Sequence, residues 1–548
     1  MKTATILLLF GVLLFFCGYP GVAQAAYHHM GESDAPKFLQ AYPDKAGTKL
    51  DNCVLCHRGG SYSPAKGKKV ELGSCQWCHH TFGYDGTGDI NATLNRFGKD
   101  YRQNGRSVAA LRAIEKHDSD GDTFANIDEI AAVRYPGDPQ DDPAKVVASY
   151  RIYTREQLLA MPQHSQVLLM NTAKALDFYA EFTGVTMEYL LDRTGIEPAA
   201  TKITVYSPDG YAQGHPLEID SSADPFVRGT YPTATYYYNR AADQNGNPQG
   251  WCDYSSPAVQ GLKHGDPIHV KNGLRLLLAL RADGRDLVAG KLGPDNMLVR
   301  GSQGPFHIVA PQKSVGPPDQ PSSRSRKGVI WPYDYSLDHN GGISTKCTTI
   351  IKVEPLPAGT TDIDVMEAGW SFIDQQKIIV YGALQGPKPV APANGAKGVS
   401  WNPARFSWEQ SPGVAPGDVI GYRLEYTKDD PTLGHWHSVA VPAGKASTGH
   451  AGAKGAGFAL FAGCGILAAV RIRSRSKVMV ALLLLGLFGA SLATHAGEKP
   501  PKVTDTALAR VKTALHLEPN TTYYWRVQDQ DKNGGTTVSA VYRFTTKN

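Results

Sequence analysis

Long runs of one charge are missing from this chain. Its formal net charge is only +5 over 548 residues. No basic stretch is long enough to track a phosphate backbone, which argues against a nucleic-acid partner. Cysteine is sparse, with eight in the whole sequence. Apolar runs reach somewhat less than the ~20 residues of a comfortable membrane span. Disorder is excluded too, because apolar residues make up 42% of the chain and charged ones 20%. The length exceeds one ordinary domain and predicts about two to four.

The chain opens "MKTATILLLFGVLLFFCGYPGVAQAAYHH". Lys2 gives a short positive start, Ile6 to Phe16 form an apolar core, and "VAQA" supplies small residues for cleavage near Ala25 or Ala26. This predicts a secretory signal over residues 1–26 and a chain exported to the periplasm or outer cell surface. Cys17 leaves with it. In an oxidising space thiols tend to pair, so Cys252 and Cys347 are a candidate disulfide. Cys464 sits in an apolar run.

The other four cysteines form two pairs, "CVLCH" and "CQWCH". Cys53, Cys56, Cys75 and Cys78 have the spacing of a four-thiolate zinc ribbon. Such a ribbon has no use for His57 and His79, which stand at matched places directly behind each pair. Covalent haem attachment needs them: two thiols two residues apart reach the two vinyl groups of one porphyrin edge, and the next imidazole binds the iron. With the export signal, these motifs resemble small multihaem c-type cytochromes. The resemblance implies two c-type haems carried on residues 27–149. Candidate sixth ligands are His28, His29, His80 and His117, with Met30 as a thioether alternative. Bis-histidine ligation at both irons is expected, which implies low potential and an electron-transfer role.

Farther along, "HDSDGDTFANIDEI" places Asp118, Asp120, Asp122, the Phe124 carbonyl, Asn126 and Glu129 at the oxygen-bearing positions of a twelve-residue calcium loop. The spacing resembles EF-hand and dockerin-type loops. Thr123 occupies the sixth place, where glycine eases the turn, and Gly121 partly compensates. "SVAALRAIEK" and "NIDEIAAVRY" read as flanking short helices. Calcium would stiffen a small, mostly α haem lobe.

Residues 150–386 change texture. "YTREQLLAMP" reads as a helix, whereas "TKCTTIIKVEPL" and "QKIIVYGALQG" read as strands, giving an α+β domain. "GVTMEYLLDRTGIEPAATKITVYSPDGY", with "LLLALRADGRDL" leading to "GPFHIVAP", resembles the molybdopterin-binding domain of the sulfite oxidase family. That family's metal-binding cysteine is missing from the matching stretch "HSQVLLMNTAKALDFYAEFTG". Its phosphate-holding arginines are not evident either; Arg324, Arg326 and Lys327 lie in an exposed-looking loop. The expectation is a fold kept for binding or docking rather than a working molybdopterin site. Cys252 is the substitute ligand if molybdenum does bind.

Residues 387–548 begin with a Pro/Gly-rich linker. "ARFSWEQ", "GYRLEYTKD" and "HWHSVAVP" then alternate apolar and polar residues as strands. Downstream, Leu517, Pro519, Thr521, Tyr523, Trp525 and Val527 fall two apart. The pattern resembles a fibronectin type III sandwich, with Trp408 as core tryptophan and Tyr523 as tyrosine-corner residue. An apolar insertion, residues 450–497, interrupts it and predicts membrane association, with fused processing signals or a soluble, buried insertion as the other readings.

Together these readings predict an exported electron carrier. It passes single electrons through two haems to redox partner proteins or extracellular acceptors, and its later domains serve docking. The alternatives are a molybdenum oxidoreductase discharging through the haems and a zinc-stapled adhesion protein.

Overall fold

The computed structural model describes residues 33–443 and 510–548 apart from 64–68, 84–85, 173–175, 209–210, 219–225, 229–230, 239–251, 292, 294–297, 300, 312–339, 365–369, 415–416 and 432–434. The expected signal, His28, His29, Met30, Cys17, the loop with Arg324, Arg326 and Lys327, Cys464 and the insertion 450–497 lie outside those residues. Among the described residues no helix is long and apolar enough to cross a membrane. The chain is multidomain and mostly β, with few helices.

The N-terminal region carries α1 (Asp34–Ala41), α2 (Ser74–Thr81), α3 (Arg96–Gln103), α4 (Val108–Ala113) and α5 (Asn126–Ala131). A small antiparallel ribbon, Gly60–Tyr62 against Val70–Leu72, precedes α2. No helix in this group exceeds eight residues. Helices this short are marginal alone, so caps and burial must hold them. The Asn95 side chain accepts from the Gly98 N–H at the start of α3, and Ser107 does the same for Ala110 at α4. Phe38, Leu50, Leu55, Phe97, Leu111 and Ile114 form one apolar core beneath them.

Buried polar contacts bolt this region to residues 150–386. The Lys49 ammonium, fully buried, lies 2.7 Å from Asp141 and 3.0 Å from the Thr361 hydroxyl. Burial pulls its pKa down, and Asp141 opposes that by holding the charge. Thr360–Thr361 also pair in parallel with Val146–Val147.

In residues 150–386 strands outnumber helices among the described residues. Described helices there are short: Arg155–Leu159, Met187–Thr194, Asn340–Ile343 and Trp370–Asp374. Met187–Thr194 follows "GVT" because Thr186 caps its start and Gly195, at φ +77°, ends it in the left-handed region. The strands dominate. Asp177–Thr186 is flanked by His164–Met170 and Leu277–Ala282 in a six-stranded sheet. Tyr150–Thr154, Lys377–Gly382, Ile350–Glu354, Lys202–Tyr206 and Ala212–Pro216 lie side by side in an eleven-stranded one. Val and Ile occupy the inner positions of these strands, which suits a pleated surface covered on both faces. Cys252 packs with Tyr179 and Tyr254, whereas Cys347 packs with Ile373 in a separate cluster. The expected disulfide partners therefore occupy different parts of the core.

Residues 387–548 place the three-stranded sheet of Lys388–Ala391, Ala404–Glu409 and Arg510–Leu515 against strands of the large sheet, among them Val419–Thr427 and Thr522–Asp531. Phe406, Trp408, Tyr422, Trp525 and Phe544 fill the space between. The Tyr523 hydroxyl accepts from the Glu518 N–H at 3.0 Å. The large sheet runs on across the linker, because Thr536 pairs with Tyr150. Buried Arg151 seals that junction, contacting Asp529 at 2.9 Å and Asp531 at 3.4 Å.

Candidate haem and cation sites

The first cysteine pair sits in a short 3-10 turn, Cys53–Leu55, capped by the Asn52 side chain, which accepts from the Val54 N–H. Asn95 clamps the same turn from outside. Its amide donates to the Val54 and Leu55 carbonyls at 3.1 and 3.0 Å, and its backbone N–H donates to the Cys56 carbonyl. Helix α3 comes close because Gly98 has no side chain; a Cβ there would lie 2.2 Å from the Cys56 carbonyl oxygen.

This turn borders a cavity of about 270 Å³. Cys53, Cys56 and His57 face it, together with the apolar side chains of Phe38, Leu55, Leu94 and Leu111. Tyr101, Arg102 and Arg106 stand on its lining too. The Tyr101 hydroxyl donates to Asp34 at 3.2 Å, and Arg106 pairs with the same carboxylate. Arg106 and Lys37 hold the Asp34 carboxyl below its usual range, although burial, the largest influence, pushes the other way.

His57 Nδ1 lies 2.8 Å from the Thr93 hydroxyl, which donates its own proton to the Ile90 carbonyl at 2.7 Å. Thr93 must therefore accept from Nδ1–H. That assigns the tautomer and puts the imidazole lone pair on Nε2, the form a metal takes. The Cys78 thiol lies close to the same hydroxyl. Burial pushes that thiol's pKa up, and nearby Cys53 adds to the rise. The two motifs, distant by spacing alone, thus meet at one threonine.

The second motif lies on α2, whose residues include Cys75, Cys78, His79 and His80. Trp77 stacks on His80 with ring centroids 5.3 Å apart, and Tyr62 stacks on it at 4.8 Å. His80 Nδ1 is buried without a hydrogen-bond partner. Gln76 anchors the helix to the Ala212 carbonyl of the neighbouring sheet. Neither His79 nor His80 lines the first cavity, and His117 is exposed away from it. The structure therefore brings no expected sixth ligand to the first cavity among the described residues.

A four-thiolate zinc centre needs its sulfurs about 3.8 Å apart. Among the described residues, only Asp118, Asp120 and Asp122 bring three ligand atoms within 4.8 Å of one another. The four motif thiols do not converge in that way.

The acidic loop is drawn tight by its own carboxylates. Asp118 accepts from the Gly121, Asp122 and Thr123 amides, and Asp122 accepts from the Phe124 amide at 2.9 Å. Thr123 stands at φ +88° and Gly121 at +83°, so the turn the spacing implied is made with one residue ill suited to it. Asp120 and Glu129 are fully buried; among the described residues both Glu129 carboxylate oxygens lack a hydrogen-bond partner, and only the Asp122 amide comes near enough to ease the Asp120 charge. Burial, reinforced by the Asp122 and Asp118 charges, pushes Asp120 up to about 7. Burial and all three aspartates push Glu129 up to about 9. Such a donor set suits a hard cation with oxygen ligands. Asn126, at the ninth place of the loop, accepts through its side chain from the Ser119 N–H and donates to the Ile114 carbonyl and the Ser119 hydroxyl, so it also braces the loop.

In residues 150–386, the Cys252 thiol faces its own neighbour's carbonyl at 3.7 Å within a tyrosine cluster. Thr93, Asn95, Gly98, Arg102 and Arg106 were not among the sequence candidates. Only Asn95 left a trace, as a capping residue before "RFGKDYR".

No protein-family model matches the chain, and no curated protein matches it. Among solved structures, the α-L-rhamnosidase of Dictyoglumus thermophilum is similar over 29% of this chain at 13% identity and TM-score 0.15. The chain spans only 12% of that enzyme's length. The yellow lupin purple acid phosphatase PPD1 is similar over 40% of this chain and 29% of its own, at 13% identity and TM-score 0.14. The chicken CNTN1 FN1–FN3 domains are similar over 74% of this chain and all of theirs, at 10% identity and TM-score 0.15. Likenesses this slight carry nothing over to this chain.

Proposed function

We propose that this chain is an exported dihaem c-type cytochrome that passes single electrons between redox partners. The observation that carries the reading is the first site. Two cysteines and a histidine whose tautomer presents Nε2 border an apolar cavity. Haem supplies a one-electron iron centre there. Cys53 and Cys56 would hold its vinyl edge, His57 would bind iron, and Thr93 would keep the Nδ1 proton in place. Phe38, Leu55, Leu94 and Leu111 would exclude water, and Arg102 would offer a cation to the ring carboxylates. Cys75, Cys78 and His79 would hold the second haem.

The closeness of Cys78 to Thr93 and Cys53 supports reading the two attachment sites as neighbours that would exchange electrons. The acidic loop would take calcium. The later regions, read as a sulfite-oxidase-like domain and a fibronectin type III domain, would dock partners. A pyridine haemochrome assay with iron analysis tests the reading on protein coexpressed with haem-attachment machinery. Two irons per chain and a c-type spectrum are expected; a colourless product from attachment-competent cells contradicts it.

A further inference from the structure

We infer that a divalent cation held by Asp118, Asp120, Asp122 and Glu129 fixes the wall of the first haem cavity through helix α3. The haem part of this inference rests on the function proposed above; the coupling to α3 does not.

The site is more than a group of acidic residues. Glu129 and Asp120 are 0% and 1% exposed, and both Glu129 carboxylate oxygens are unpartnered among the described residues. A buried carboxylate without a partner is costly, and ligand atoms of Asp118, Asp120 and Asp122 already lie within 4.8 Å of one another. A hard cation supplies the missing counter-charge, and calcium tolerates irregular oxygen sets better than magnesium does.

The link to the cavity is direct. Arg96, the first residue of α3, donates to the Asp120 carbonyl. One turn later, Asp100 accepts from the Ser119 hydroxyl at 2.7 Å. Residues four apart share a helix face, so the loop grips one face of α3 at two points. Gly98, Tyr101 and Arg102 of the same helix line the cavity. Asn95, just before it, holds the cysteine turn. Without the ion, only the amide bonds to Asp118 and Asp122 hold the loop, and its grip on both anchors is looser. With it, the loop closes and α3 is pinned between two fixed neighbours.

The test uses the full exported chain, stripped with EGTA and titrated with calcium chloride. One equivalent should bind, and Glu129→Gln should weaken binding at least tenfold. Hydrogen exchange of the 96–103 amides should slow on binding, at least tenfold, with or without haem. In haem-loaded protein the potential of one haem should shift and that of the other should not. Arg96→Ala combined with Ser119→Ala should keep calcium affinity within about threefold yet abolish both responses. No stoichiometric binding overturns the site. Binding that leaves α3 exchange unchanged overturns the coupling. A haem-free product that still shows calcium-dependent α3 protection overturns the proposed function alone.

Discussion

Thr93 is the residue on which the first site turns. Its hydroxyl accepts from His57 Nδ1–H, and such a bond makes an iron-bound imidazole more basic. Thr93→Val keeps the shape and removes the acceptor. The first haem's midpoint potential should then rise by tens of millivolts, on the order of one hydrogen bond's worth. Redox titration reads this; an unchanged potential means that Thr93 does not act on the iron. Thr123 makes a second test. A β-branched residue at φ +88° is strained, and Thr123→Gly should stabilise the protein by roughly 1 kcal/mol in urea unfolding. Adjacent cysteines and the acidic spacing were legible in the sequence because covalent and coordination chemistry fix their intervals. Thr93 was not, since its role needs two loops to meet. The bonds of Asn126 to Ser119 and Ile114 were not legible either, because spacing does not show which groups a side chain meets.

Among the elements, α3 joins the two candidate sites. Its closeness to the cysteine turn depends on Gly98, where a Cβ would fall 2.2 Å from a backbone oxygen. Backbone cannot yield as a flexible side chain does. Gly98→Ala should therefore displace the helix, cost about 1–3 kcal/mol as overpacking does, and lower first-haem occupancy while sparing the second. Quantitative mass analysis of haem-bearing peptides separates the two motifs; equal loss at both contradicts this account. The capped run "GVTMEYLLDRTG" was legible as a helix because its Thr and Gly signals bracket an apolar stripe. The strand Ile350–Glu354, within "TTIIKVE", was legible from its β-branched content. The helix within "YTREQLLAMP" was legible too and is present as Arg155–Leu159, closed by a capping box of Thr154 and Gln157.

At the scale of the molecule, buried charges tie the regions together. Lys49 joins the first region to the second, and Arg151 joins the second to the third. Neither partner set could be read from the sequence, since Arg151 and Asp529 are far apart along the chain. Buried His307 sets an acid limit on this assembly. Burial, aided by the Lys346 charge, holds its pKa down at about 3, against about 6.5 for an unfolded histidine. Between those values the unfolded chain binds more protons, so stability falls as pH drops from about 6.5 toward 3. The change in urea midpoint between pH 7 and pH 4.5 should be less unfavourable in the His307→Leu variant than in the parent chain, a difference in which the opposing protonation of Asp120 and Glu129 cancels; equal changes in both would contradict it. The central claim concerns the two cysteine pairs, and the intact mass of the mature chain tests it most directly. Two covalently attached haems are predicted, falling to one when Cys53 and Cys56 are both changed to alanine; a bare chain from haem-attaching cells, or one carrying a single zinc, would contradict it.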